Sequence, residues 1–333
     1  LKAEMFEGDS EPDNYEGDFS KDQAAFREEQ DVRRTIFVEM SKRSSDTIEE
    51  EGEVIETVPG PWSDFDFDFS RAPIFYPLNA ITIEKGNFSY AQFYSNADFS
   101  EVTFTRTADF RAVAFGQTVK FSWAIFAHNA DFRWATFTRY AIFRWVTFTH
   151  NANFSETTFV QDADFGEVTF TQDADFRQAV FAQDACFSET TFIETADFGS
   201  ATFTHAAYFL SAVFTQDADF SWAVFVQSAD FNEATFSTSS PKFVETSEIS
   251  GMTFRARFAA LPEGREAHNF IVSEHSQPVL LGEVELNNMK YCIPVGTILF
   301  APTSLDDETQ DYITSEPAKP LDNSDEAEEN KTN

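Results

Sequence analysis

Residues 152–176 read ANFSETTFVQDADFGEVTFTQDADF, and the five Phe in that stretch (154, 159, 165, 170 and 176) are separated by five and six residues in strict alternation. The rhythm extends outward without a miss from Phe88 to Phe236, through 28 of the chain's 41 Phe. Two residues before each Phe stands a small side chain, as at Ala97, Val102, Ala108, Val113, Val119 and Ala124. The unit is small-x-Phe-x-x with one extra residue after every second copy. Repetition of this kind decides the architecture before any local propensity does.

An 11-residue period also suits a right-handed helical supercoil. On a helix, at about 100° per residue, the small and Phe positions scatter around the axis and leave no apolar stripe. On short strands both point inward and the residue between them points out. Pro is absent from 88–236 and Gly occurs there only at 116, 166 and 199, so propeller-like punctuation is missing.

The small-x-Phe-x-x unit resembles that of the pentapeptide-repeat family over about 150 residues. The resemblance implies an all-β fold, a right-handed quadrilateral β-helix with four units per coil and the small and central residues filling the interior. The extra residue in every eleven makes the coil 22 residues long, with two opposite corners bulged. Residues 22 apart then share a face. Asp109, Asp131, Asn153, Asp175, Asp197 and Asp219 form one regular set, whereas the set offset by eleven reads Asp98, Lys120, Ile142, Asp164, Cys186, Tyr208 and Asp230. Seven coils at about 4.8 Å make a rod on the order of 34 Å long, with Phe rings stacked at a favourable separation.

Around this rod, residues 1–18 read as a disordered acidic N-terminus and 19–60 as a helix followed by an acidic linker. The helix opens on Ser20 with Gln23 in capping-box register and carries Phe26, Val32, Ile36, Phe37 and Met40 as its apolar positions. Residues 61–87 are expected to cap the open apolar end of the solenoid, which spans 88–243. Residues 244–305 read as a C-terminal cap or small β-module, and 306–333 as a disordered acidic tail.

The charge is -34, with 23 Lys+Arg against 57 Asp+Glu. This argues against direct nucleic-acid or anionic-membrane binding through phosphate neutralisation. The excess is spread evenly, -13 over 1–87, -11 over 88–236 and -10 over 237–333, as in adaptation to high salt or as an acidic binding surface. No run reaches the roughly 18 apolar residues of a membrane helix. The start, LKAEMFEGDS, lacks the pattern of a secretory leader. Two cysteines, Cys186 and Cys292, make no disulfide framework. A cytoplasmic protein without metal or cofactor is the expectation.

No nucleophile elbow, phosphate loop or zinc-protease motif occurs, and a non-enzymatic interaction scaffold is the leading reading. Two groups are its candidate partner-binding residues. Asp109, Asp131, Asp175, Asp197 and Asp219 form an outward ladder with Arg111, Arg133 and Arg177 two residues on. Trp123, Trp134, Trp145 and Tyr140 lie in adjacent repeats as an aromatic patch. The ladder also opens an alternative, because the resembled family includes DNA mimics that modulate DNA gyrase or related topoisomerases. A protein partner, with a topoisomerase as one candidate, and an end-to-end homodimer are implied by the same resemblance. Pairs such as Thr103/Thr105 and Thr147/Thr149 open a third reading, ice binding. His128 and His150, 22 apart, are expected to stack at a corner and are too few for a metal site.

Overall fold

The computed structural model describes residues 15–50, 53–62, 65–75, 86–261, 267–305 and 312–321. Four parallel sheets run the length of the repeat region and enclose its Phe. Following the chain around one coil, face 1 contains Gln92–Phe93, face 2 Ala97–Asp98, face 3 Thr103–Phe104 and face 4 Ala108–Asp109. Every strand then pairs with the one 22 residues on, as Ala114 with Thr136 and Ala163 with Ala185. The seven coils expected from the spacing are present, with faces 1 and 3 opposite each other and faces 2 and 4 opposite each other.

All 28 repeat Phe are buried. Rings 22 apart stack at 4.6–5.1 Å, as Phe104 on Phe126 and Phe115 on Phe137. Rings across the core meet edge to face, Phe165 against Phe154 and Phe176 at 5.3 Å. The small residues leave room for this packing, and Thr157 and Thr190 occupy two of their sites only because each hydroxyl donates to a core-facing carbonyl, of Phe132 and Phe165.

The corners differ in kind. Between faces 2 and 3, and between faces 4 and 1, a four-residue turn closes from the Phe carbonyl, as Ala124 N–H to Phe121 at 2.9 Å and Ala135 N–H to Phe132 at 3.0 Å. The third residue of each such turn has φ of 51–64° without being glycine. The extra residue of the eleven lies at the other two corners, which are open bends. The bulged corners are thus opposite each other, as the spacing predicts.

The flanks depart from the sequence reading in four places. Helix α1, Phe19–Ser44, is capped by Asp18 rather than Ser20, with Asp18 Oδ1 accepting the Lys21 amide at 3.2 Å. An acidic side chain there also suits the helix dipole. Of the expected apolar positions Phe26 packs on Phe75 at 5.2 Å and Met40 against the core, but Val32 and Ile36 are exposed. The expected linker is an antiparallel hairpin, β1 Ser45–Glu50 and β2 Glu53–Pro59. The solenoid also begins before Phe88, since Phe67–Asp68 and Pro73–Ile74 already add rungs to faces 4 and 1.

Beyond Phe236 an eighth coil is assembled from separated pieces, with Lys242 on face 4, Arg257–Phe258 on face 1 and Asn269 on face 2. Strand Ile298–Phe300 extends face 1 once more. An antiparallel sheet of Leu281–Leu286, Met289–Pro294 and Lys319–Pro320 closes this end. Part of the expected acidic tail is therefore ordered: Ser315 N–H donates to the Leu299 carbonyl and Ala318 is buried. The expectations for 1–14, 306–311 and 322–333, and for the Phe37 side chain, lie outside the described residues. Among the described residues no helix is long and apolar enough to cross a membrane.

His268 takes the interior site of a small residue in the eighth coil, against Phe258 and Phe270. Its Nδ1 accepts the Ala229 amide and its Nε2–H donates to the Ala259 carbonyl. Accepting at Nδ1 requires a neutral ring, and burial lowers its pKa to about 4.

Two outcomes follow from this packing. Phe165→Asp abolishes folding, because a carboxylate replaces a ring in contact with five others, whereas Ile125→Asp, outward on face 3, changes stability by less than about 1 kcal/mol; urea midpoints measure both. The unfolded chain protonates His268 near pH 6.5 and the folded chain near pH 4. The contribution of the neutral ring is thus intact above about pH 6.5 and is lost, by up to about 3 kcal/mol, as the pH falls to about 4. In His268→Gln the urea midpoint loses that component of its slope.

Candidate interaction surfaces

The Asp ladder forms on face 4 as the spacing predicts, and its chemistry is local. One oxygen of each Asp accepts the amide two residues on: Arg111 to Asp109 at 3.1 Å, Arg133 to Asp131 at 3.2 Å, Arg177 to Asp175 at 3.0 Å, Gly199 to Asp197 at 2.8 Å and Ser221 to Asp219 at 2.7 Å. Asp98, Asp164 and Asp230 close the turns of face 2 in the same way. Asp and Asn suit this turn because they offer its amide a short acceptor two positions back, although Lys120, Ile142 and Tyr208 stand at the same position in turns of face 2.

The second oxygens are taken by cations. Arg111, Arg133 and Arg177 each grip the Asp two residues back at 2.6–2.7 Å. Arg111 and Arg177 also reach the Asp of the next coil, at 3.7 and 3.5 Å, and Lys242 reaches Asp219 at 3.2 Å. Hydrogen bonds to Asp109 and Asp175 hold the Arg111 and Arg177 guanidinium pKa values above their ordinary range. Burial raises that of Asp197. Face 4 is close to charge balance over these coils.

The four aromatic residues do not form one patch. Trp123 and Trp145 occupy the corner between faces 2 and 3, their rings stacked at 4.6 Å and 12°. Trp134 sits at the diagonally opposite corner, under the Arg133 guanidinium, and Tyr140 at the open bend between faces 1 and 2. Residues eleven apart lie half a turn apart, so neighbours in sequence become opposites on the rod. His128 and His150 stack at 4.9 Å at the fourth corner. Among the described residues no group of three or more His, Cys, Asp or Glu is arranged for a metal.

The Thr pairs occupy face 3, where Ile125 and Val213 break the column and the Thr149 and Thr171 hydroxyls donate to carbonyls of the preceding coil. Face 1 has the same character, with Thr136, Thr158, Val180, Thr202 and Val224 pointing outward. From Gln92 to Phe236 neither face carries a charged residue on its strands.

Face 2 and its two corners hold a feature that reading residue types along the chain overlooks. Of the seven Lys and Arg in 88–236, six lie between 106 and 144, so that 106–150 carries +4 and 151–236 carries -13. A count of charge per coil would have found it. On face 2, Lys120 and Arg139 are exposed and have no carboxylate partner among the described residues. Beside them Trp123 and Tyr140 are 55% and 49% exposed. Arg144 lies over Trp145 at 4.6 Å and binds Glu167 at 2.6 Å in the next coil. Farther along the same face a groove of about 530 Å³ is lined by Asp184, Tyr208, Ser228 and Asp230 and walled by His268 and Ile271, with no Lys or Arg among the described residues of its lining. A smaller hollow of about 340 Å³ lies over the Asp ladder.

Comparison with known proteins agrees with this geometry. The family model for pentapeptide repeats (9 copies) matches residues 88–136, 135–179, 166–210 and 198–240. No curated protein matches the chain, and no solved structure does. Four sheets in 22-residue register, an interior of Phe and small residues, and a family match that tiles the same segment agree, and residues 88–240 are a pentapeptide-repeat segment.

Proposed function

We propose that this chain is a non-enzymatic, rigid scaffold that recognises an acidic protein surface through face 2 of its second and third coils. The observation that carries this reading is the co-location there of unpaired Lys120 and Arg139 with the exposed rings of Trp123 and Tyr140. Trp, Tyr and Arg dominate binding hot spots, because each combines a large contact area with a fixed polar group. The solenoid supplies rigidity: every side chain on the strip projects from a strand or corner held by bonds to the coils before and after it. Such a strip meets a partner with little ordering cost.

The topoisomerase reading asks the Asp ladder to present a row of negative charge. Arg111, Arg133, Arg177 and Lys242 cancel most of it, which favours the strip over the ladder as the recognition element.

The test compares three forms of the immobilised full chain by quantitative capture and titration: wild type, Trp123→Ala with Arg139→Ala, and a variant with Asn at the five ladder positions. The strip variant is expected to lose affinity by about thirtyfold or more, while the ladder variant binds like wild type. Loss through the ladder variant alone would overturn this reading in favour of charge mimicry, which a supercoiling assay then measures directly.

A further inference from the structure

Face 2 and its two corners change charge along the rod, starting with Asp98 and Glu101 in the first coil. In the second and third coils they carry Lys120, Arg139 and Arg144 and no acid. In the fourth to seventh they carry seven carboxylates, at 162, 164, 167, 184, 189, 230 and 233, and no Lys or Arg. Between the second coil and the seventh, this surface has cations at one end and carboxylates at the other, and that stretch is complementary to itself when reversed.

We infer that the partner of this strip is a second copy of the chain, packed side by side and antiparallel through face 2, with Arg139 of each copy entering the groove between Asp184 and Asp230 of the other. The inference rests on the scaffold reading and names its partner.

The geometry supports one arrangement. A two-fold axis lying in the interface and perpendicular to the rod reverses the rod's direction while setting each corner against the same corner of the other copy. With the axis midway between the rungs of Asp164 and Cys186, the rung of Ile142 faces that of Tyr208, and the rung of Lys120 faces that of Asp230. Arg139 and Tyr140 lie on the bend between faces 1 and 2. The groove opens on that same bend, at Asp184 and Ser228, and runs from Asp184 past the rungs of Tyr208 and Asp230 to Asn269. Every contact is made twice, as an isologous pair requires.

The groove lacks what this partner brings. Asp184 accepts the Ala206 amide and Asp230 the Asn232 amide, each through Oδ1, and neither forms an ion pair among the described residues. The Tyr208 hydroxyl has its pKa raised by burial and by the Asp184 and Asp230 charges. Near the axis, Asp164 and Glu167 are already held by Arg144, at 4.0 and 2.6 Å, which softens like-charge contact at the centre. The paired length is about 24 Å, five rung spacings, which places the interface at the small end for specific complexes. Micromolar association is the expectation.

Sedimentation equilibrium of the full chain at 5–100 µM (roughly the range such an interface requires) tests this. Wild type is expected to reach twice its 37.7 kDa mass. Arg139→Glu raises the dissociation constant by about tenfold or more. Arg106→Glu, exposed at the corner between faces 3 and 4, leaves it unchanged. Arg139→Glu combined with Asp184→Lys restores pairing, and the circular dichroism of all variants matches wild type. A monomeric wild type, or Arg139→Glu pairing as tightly as wild type, overturns the inference. A wild type that is monomeric yet captures another protein through Trp123 and Arg139 removes self-pairing and leaves the scaffold reading standing; a dimer that Arg139→Glu weakens, with no other capture, supports the second copy as the strip's partner.

Discussion

Everything in this molecule depends on one ring lying flat over another a coil away. Stacked Phe rings need a separation near 4.9 Å, and parallel strands in one sheet are themselves about that far apart. The match lets one residue type fill the whole interior, with small residues as spacers and rings turned edge-on across the core. Between Phe88 and Phe236 the alternation of five and six keeps every ring in line with no residue to spare. Where the coil length changes, the difference is taken up outside the strands, and Phe243 and Phe258 still stack on Phe220 and Phe225.

With the interior fixed in this way, variation is displaced to the outside, and the outside divides by mechanical duty. Positions that close a turn on face 4 are Asp or Asn, which offer an acceptor to the amide two residues on, while face 2 also admits Lys120, Ile142, Cys186 and Tyr208 there. Strand positions on faces 1 and 3 are Thr, Val, Ile and Ala, suited to a half-buried flat sheet. The turn corners have neither constraint. Their backbone is left-handed whatever the side chain, at a cost on the order of 1 kcal/mol each, and they carry Glu, Trp, Gln, Ser or Ala. The exposed Trp residues sit there, where identity matters least to the fold.

The architecture was legible because periodicity survives without knowledge of contacts: the 22-residue register, the inward Phe and the outward ladder all appear in the structure. What was not legible depended on geometry around the rod or on interrupted spacing. Trp123 and Trp134 look adjacent in sequence and stand at opposite corners. The left-handed turns had no glycine to mark them. The eighth coil is hidden because insertions separate Phe243, Phe258 and Phe270, and the pairing of Lys319–Pro320 uses too few apolar residues to register as a strand. Asp18 lost to Ser20 in the reading because the Ser20–Gln23 spacing imitates a capping box. The meaning of the Asp ladder was visible only once each carboxylate oxygen had been traced to its turn amide and its arginine.

The constant register has a metric consequence. The distance from the Arg139 bend to the groove at Tyr208 is a whole number of rungs, so the rod is a ruler graduated in steps of about 4.8 Å. Removing 22 residues between them would slide the two marks one step closer while keeping both on the same side. Removing eleven would leave the interior satisfied but turn everything downstream through half a revolution, exchanging face 2 for face 4. Length along this molecule and direction around it are therefore written in the same count of residues, and a lineage gaining or losing repeats in pairs of eleven changes reach without changing aim.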